Sequence, residues 1–124
     1  PSVTKTGIDA AGRKVTNVAD GTAPYDAVNR GQLDALDNRL SRDINKVEDI
    51  ASAGIASAMA AASVPQVTVP GANLLGAGTG YYNGHSALSV GYSAMSDNGR
   101  WIIRSNFSVN SEDAAVSAGV GYQW

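Results

Sequence analysis

Any acid–base or metal chemistry in this chain would have to be built around His85, the only histidine. It follows Asn83-Gly84, a turn signal, so solvation is its expected environment. No carboxylate cluster stands near it at metal-ligand spacing, and without cysteine there is neither a disulfide framework nor a thiolate metal site. Serines are plentiful after residue 85, but a nucleophilic serine needs a base and a group that orients it. Gly76, Gly78 and Gly80 alternate as in a strand and no helix follows them, unlike a phosphate loop. The expectation is therefore no catalytic residue, no metal, no cofactor and no enzymatic activity. A net charge of -2 leaves no basic excess for a nucleic-acid partner.

The elements that position these residues show in the charge distribution. A chain of 124 residues has the size of one ordinary domain. Its charged fraction is 16%, below the roughly 25% of soluble domains, and the shortfall lies in the second part. Residues 1–49 carry 7 Lys/Arg and 8 Asp/Glu, and no charge lies between Asp49 and Asp97. A membrane-spanning helix needs about 20 apolar residues. The nearest candidate, Ile50 to Val64, is too short, is rich in Ala, Ser and Gly, and is followed by Pro65 and Pro70. The chain starts Pro-Ser with no signal peptide, so it is expected to be part of a larger protein whose targeting sequence lies upstream.

Four stretches follow. Residues 1–25, with Gly7, Gly12, Gly21 and Pro24, read as short strands and turns. Residues 26–63 have helical periodicity, with Asp26 as the expected N-cap after Pro24. Residues 64–72 read as an extended connector, and residues 73–124 have a period near two.

In the helix, Leu33, Leu36, Leu40, Ile44, Val47, Ala51, Ile55, Ala58 and Ala62 recur in steps of 3, 4, 4, 3, 4, 4, 3 and 4. That eleven-residue period predicts a nearly straight or slightly right-handed coil. So narrow a seam needs partner helices. From Ala51 to Ser63 the flanks turn from charged to small, and Gly54 costs roughly 1 kcal/mol against alanine inside a helix, which suggests close enclosure.

The last stretch predicts four strands near 73–82, 86–96, 100–110 and 114–124, each about as long as the 9–11 residues that cross a bilayer as a tilted strand. Leu75, Ala77, Thr79 and Tyr81 oppose Gly76, Gly78 and Gly80; the later strands likewise set Leu, Val, Ile and aromatics against Ser, Gly and Asn. A soluble sheet would turn its large apolar face to a core, and an outer-membrane strand would turn it to lipid; alternation alone does not choose. Four strands leave open edges that lipid does not tolerate, so one chain cannot close a barrel, whereas three give twelve strands with three helices on one axis. On a lipid face Arg104 would cost about 2–4 kcal/mol. Its alternation puts it inside with Asn106, near helix carbonyls.

At this point a family resemblance is specific. The run Gly78-Thr-Gly-Tyr-Tyr-Asn-Gly-His-Ser-Ala-Leu-Ser-Val-Gly91 resembles the first hairpin of the YadA-like anchor of trimeric autotransporter adhesins. The closing run Ala114-Ala-Val-Ser-Ala-Gly-Val-Gly-Tyr-Gln-Trp124 resembles its last strand, and residues 12–33 resemble its neck. The resemblance implies an α+β membrane protein. Residues 1–25 would be a neck, 26–63 a coiled-coil stalk and lumen helix, 64–72 a connector, and 73–124 one third of a twelve-stranded transmembrane β-barrel. The homotrimer would sit in outer-membrane lipid with stalk and neck on the cell surface, exporting an upstream passenger and keeping it attached. Gly54, Gly76, Gly78, Gly80, Arg104 and Asn106 would face the lumen, with Gly80 the best match and Gly78 the next for a pore-facing glycine linked to export. Val120, Tyr122 and Trp124 resemble the signal read by the outer-membrane insertion machinery. A host-surface ligand would be bound by an upstream head that these residues do not contain. An open passive pore and a soluble trimeric fibre segment are the alternatives; conductance separates the first and a need for detergent the second.

Overall fold

The chain opens with two short antiparallel strands, β1 (Ser2–Thr4) and β2 (Gly7–Asp9), paired from Ser2 with Asp9 to Thr4 with Gly7. The computed structural model describes residues 1–124 and divides them into two units, Pro1–Asp43 and Ile44–Trp124. The helix α1 runs Arg30–Ser63.

The helix starts four residues later than the expectation built on Asp26. Asp26 instead closes the turn before it: its backbone N–H donates to the Ala23 carbonyl at 3.1 Å, and its carboxylate accepts the N–H groups of Thr22 at 3.0 Å and Ala23 at 2.9 Å. The N-cap is Asn29. Its Oδ1 accepts the Gln32 N–H at 2.9 Å, while Gln32 Oε1 accepts the Asn29 N–H at 3.3 Å, a reciprocal capping box. Both side chains also hold the preceding loop. Asn29 Nδ2 donates to the Val18 carbonyl at 3.0 Å and to Asp20 Oδ1 at 2.7 Å, and Gln32 exchanges two 3.0 Å bonds with the Gly21 backbone. The helix ends where Pro65 disfavours helical geometry at Val64.

The connector leads into a meander of four antiparallel strands, β3 (Asn73–Tyr82), β4 (His85–Met95), β5 (Trp101–Asn110) and β6 (Ala114–Tyr122), in the order β3-β4-β5-β6. The boundaries fall within two residues of the expected ones. The first hairpin closes at Tyr82 paired with His85, leaving the two-residue loop Asn83-Gly84. Its φ values of 48° and 81° are both positive, as a type I′ turn requires. At the turn between β5 and β6, Asn110 Oδ1 accepts the N–H groups of Glu112 at 2.8 Å and Asp113 at 2.7 Å, so this asparagine organises the loop backbone itself.

The cap and the turn before it can each be tested. Replacing Asn29 with alanine removes one partner of the capping box, and by the usual N-cap scale should cost about 1 kcal/mol; faster amide exchange over the first turn of α1 would report it, and unchanged exchange would refute the assignment. The Thr22 and then the Ala23 backbone N–H groups hold the Asp26 carboxyl below its usual value of 3.8. A carboxyl depressed on folding stabilises the fold above its unfolded value, and that contribution fades as pH falls through the folded one. An NMR titration of the Asp26 carboxyl carbon should therefore give a midpoint below 3.8, and one at or above it would contradict the turn geometry.

Candidate functional site

Within residues 44–124 the helix lies on one face of the sheet, and it lies on the face of small residues. The buried side chains are Ser52, Ala53, Ala56, Ser57 and Ala60 of α1, with Ala87, Ser89, Ser93 and Ser108 of the sheet. No large side chain separates the two layers, so backbone approaches backbone. A Cβ on Gly78 would come within 2.6 Å of the Ala60 carbonyl oxygen, and one on Gly80 within 2.7 Å of the Ala60 nitrogen and into the Ala56 carbonyl. At Gly76 the added atom would lie 3.2 Å from both Val64 and Pro65. Any side chain at Gly78 or Gly80 would therefore lift the helix off the sheet.

The opposite face carries the large apolar residues, and nothing in the chain covers it. Leu75 is 82% exposed, and Leu88, Val90, Ile103, Phe107, Val116 and Val120 are exposed with it. Aromatic residues gather at one end of this face. The rings of Trp101 and Tyr122 are 5.0 Å apart, those of Tyr122 and Trp124 are 6.4 Å apart, and the Tyr92 hydroxyl lies 3.0 Å from Asn73 Oδ1. Tyr81 is exposed at the other end. A soluble protein rarely leaves so broad an apolar surface open.

Arg104 reaches inward to the end of the helix. Its Nη2 donates to the carbonyls of Ala61 at 2.7 Å and Val64 at 3.1 Å. Carbonyls of a last helical turn lack intrahelical partners, and a cation there also suits the negative end of the helix dipole. Arg104 Nε and Asn106 Oδ1 are buried beside it without a hydrogen-bond partner in this chain. Val64 and Val67 of the connector are buried at this end with Met95, and the Val67 N–H donates to Ser93 Oγ at 2.9 Å.

At the other end of the sheet the contacts become polar. Asn83 Nδ2 donates to Ser52 Oγ at 3.0 Å and Glu48 Oε1 at 3.3 Å. His85 Nε2 lies 3.3 Å from Asp49 Oδ1 with only 17% of its side chain exposed, which corrects the solvated environment expected from its place beside a turn. Asn110 Nδ2 donates to Ser57 Oγ at 2.7 Å and the Ala53 carbonyl at 3.1 Å. Sequence reasoning missed this helix-facing group. The turn asparagines were visible and the glycine face was expected to meet the helix, but nothing in the chain's pattern gave the position of the helix along the sheet that brings Ala53 and Ser57 to Asn110.

The expected site residues divide accordingly. Gly76, Gly78, Gly80, Arg104 and Asn106 come together under the helix. Gly54 does not join them: it is exposed on α1, and a Cβ added to it would have nothing within 4 Å, so its close neighbour is not in this chain. Leu33, Leu36, Leu40, Ile44, Val47, Ala51, Ile55, Ala58 and Ala62 are all exposed. With about 100° of turn per residue, Ala51, Ile55, Ala58 and Ala62 lie on the side of α1 opposite to the Ala53, Ala56 and Ala60 row that meets the sheet. Val120, Tyr122 and Trp124 are exposed at the end of the chain, and Trp124 is 98% exposed.

Comparison with known proteins agrees with this geometry. Residues 65–124 match the YadA-like membrane anchor domain, and residues 14–56 match the coiled stalk of trimeric autotransporter adhesin. The chain is 41% identical, over 90% of its length, to autotransporter adhesin NhhA of Neisseria meningitidis serogroup B, of which the match covers 19%. It is 36% identical over 99% of its length to autotransporter adhesin EhaG of Escherichia coli O157:H7, covering 8% of that protein. It is 32% identical over 90% of its length to trimeric autotransporter adhesin AtaA of Acinetobacter sp. strain Tol 5, covering 3%. The chain thus spans less than a fifth of the length of these relatives. With both of these domains matched in order along the chain and the relatives all autotransporter adhesins, the chain belongs to the trimeric autotransporter adhesins and carries their coiled stalk and membrane anchor.

Proposed function

We propose that three copies of this chain close a twelve-stranded barrel in the bacterial outer membrane, export the upstream adhesive passenger through it, and then hold that passenger on the cell surface. The observation that carries this reading is the inverted sheet: its helix covers the glycine and serine face, and its large apolar face is bare. Lipid is the solvent that such a face suits, with aromatics at its borders. Strands of 9 to 11 residues have the length for a tilted crossing.

The copy number follows from the edges. β3 and β6 each pair on one side only, and hydrocarbon does not tolerate unpaired strand edges. Two copies would make eight strands, whose interior is filled by side chains alone. Three copies of the 4-stranded sheet make twelve and leave room for helices. The residues Leu33 to Ala62 of the exposed seam would then meet on the barrel axis. The inner face of β6, where Gly119 and Gly121 have nothing within 4 Å, would be covered by a neighbouring copy. Gly54 would find its close neighbour among the same helices.

In this arrangement the Asn83-Gly84 turn faces outside, the connector crosses the periplasmic mouth, and stalk and neck stand on the cell surface. The aromatic end with Val120, Tyr122 and Trp124 serves the insertion machinery. The host-surface ligand belongs to an upstream head, and no chemistry is assigned to these residues.

The test is gel migration of the detergent-extracted chain before and after boiling. The unheated band should run near three times 12.7 kDa and collapse to one chain on boiling, and a monomer at both temperatures would overturn the trimeric barrel. Gly80 supplies a second test. Alanine there overpacks the layer, a change worth about 1–3 kcal/mol, and should lower the temperature at which the trimer band is lost. Leucine should go further and reduce passenger display at the surface. Unchanged display together with an unchanged heat-resistant band for Gly80→Leu would remove the close-packing role.

A further inference from the structure

The geometry points to a polar collar, made by Asn83, His85 and Asn110, that sets the register at which the exported helix stops and is held. This rests on the anchor reading above and adds to it the residues that end the movement of the chain.

The lumen side of α1 presents two kinds of surface. From Ser52 to Ala60 the sheet-facing residues are only Ser and Ala, and their contact with the glycine face has no side chain that fixes an axial position. A helix resting on such a surface meets a similar surface after sliding by one turn, because Ala53, Ser57 and Ala60 are near-equivalent in size. The charged residues end at Asp49, directly above this smooth stretch. Here the contacts become specific. Asn83 spans Glu48 and Ser52, His85 meets Asp49, and Asn110 grips the Ala53 carbonyl and Ser57 Oγ.

The collar residues are held rigidly by their own loops. Asn83 sits in the first position of the type I′ turn at φ 48°, and His85 is the first residue of β4. The Asn110 side-chain oxygen is committed to the Glu112 and Asp113 N–H groups, and its amide group is shared between Asp113 Oδ1 at 2.9 Å and the helix. Three donors from two hairpin ends thus meet three successive steps of α1: Asp49, Ser52 and Ala53. Shifting the helix by one turn, about four residues, would put Asn45 in one direction or Ala53 in the other opposite His85, so the imidazole loses its carboxylate either way. The border between charge and small residues in the sequence is the mark that the collar reads.

The test compares the full-length wild-type adhesin with Asn83→Ala/Asn110→Ala and with His85→Asp, all as trimers in detergent and on cells. Hydrogen exchange at residues 48–57 should quicken by about tenfold in the double variant, since hydrogen bonds at the mouth no longer hold the helix, while β3 to β6 keep their protection. His85→Asp sets two carboxylates against each other and should quicken the same segment. Adding Asp49→His to it recreates the pair with its ends exchanged and should restore slow exchange, which a merely structural loss would not do. Unchanged exchange at 48–57, equal acceleration through all four strands, or no rescue by the exchanged pair would each overturn the collar. If the wild type itself ran as a monomer or displayed no passenger, the anchor reading would fail first, and the collar with it.

Discussion

Everything in residues 44–124 depends on how near the helix backbone comes to the sheet backbone. That distance is set by the absence of side chains: Gly76, Gly78 and Gly80 on β3, Gly91 on β4, and alanine or serine at each buried position of α1. Dispersion energy depends on many close atom pairs, so a layer of small residues binds well only where the fit is tight. The same small residues are poor at burying apolar area. The sheet's large side chains are consequently free to face the other way, and the chain becomes an object whose outside is more apolar than its inside. The close helix contact and the lipid-suited surface are therefore one constraint seen from its two sides.

Much of this was legible in the sequence. Period-two alternation placed all four strands, because a half-buried strand shows its two faces whatever covers them. Asn83-Gly84 named its turn type, since few residue pairs accept positive φ at both positions. The 3-and-4 spacing from Leu33 to Ala62 predicts a seam, and the structure leaves those residues exposed on α1. The helix start was misread for a physical reason. Asp26 and Asn29 are both good caps, but Asp26 is drawn backward by the Thr22 and Ala23 N–H groups, while Asn29 has a glutamine three residues on to complete the box. Asn29-x-x-Gln32 was the available signal. The polar partners of the helix were not legible at all. Arg104 could be placed inside by alternation, yet only the fold brings it to the carbonyls of Ala61 and Val64. His85 looked solvated because turns usually are, and Asp49 is distant from it in sequence.

The two ends of the buried layer differ in kind. At the connector end Val64, Val67 and Met95 close the space with apolar side chains, and Arg104 caps the helix. At the hairpin end asparagine, histidine, serine and carboxylates take over. An apolar contact tolerates small displacements, since its energy varies smoothly with area, whereas hydrogen bonds fail within a few tenths of an ångström and a few tens of degrees. Arg104 and the hairpin-end side chains thus both specify position along the helix axis, and the apolar side chains at the connector end add exclusion of water.

Arg104 and Asn106 show that even this layer is unfinished in one chain. Arg104 Nε and Asn106 Oδ1 are buried and unpartnered, on β5 next to the bare inner face of β6. A buried polar atom without a partner costs about 1–3 kcal/mol, which a stable fold does not ordinarily leave uncompensated. The seam of α1, the open edges of β3 and β6, and Gly54 without a neighbour point the same way. Each is a separate deficit in helix packing, strand pairing, backbone approach or hydrogen bonding, and the proposed barrel of three copies would answer them with a single kind of event. In the proposed barrel, folding and assembly would for that reason be coupled, since a single copy leaves these groups unsatisfied.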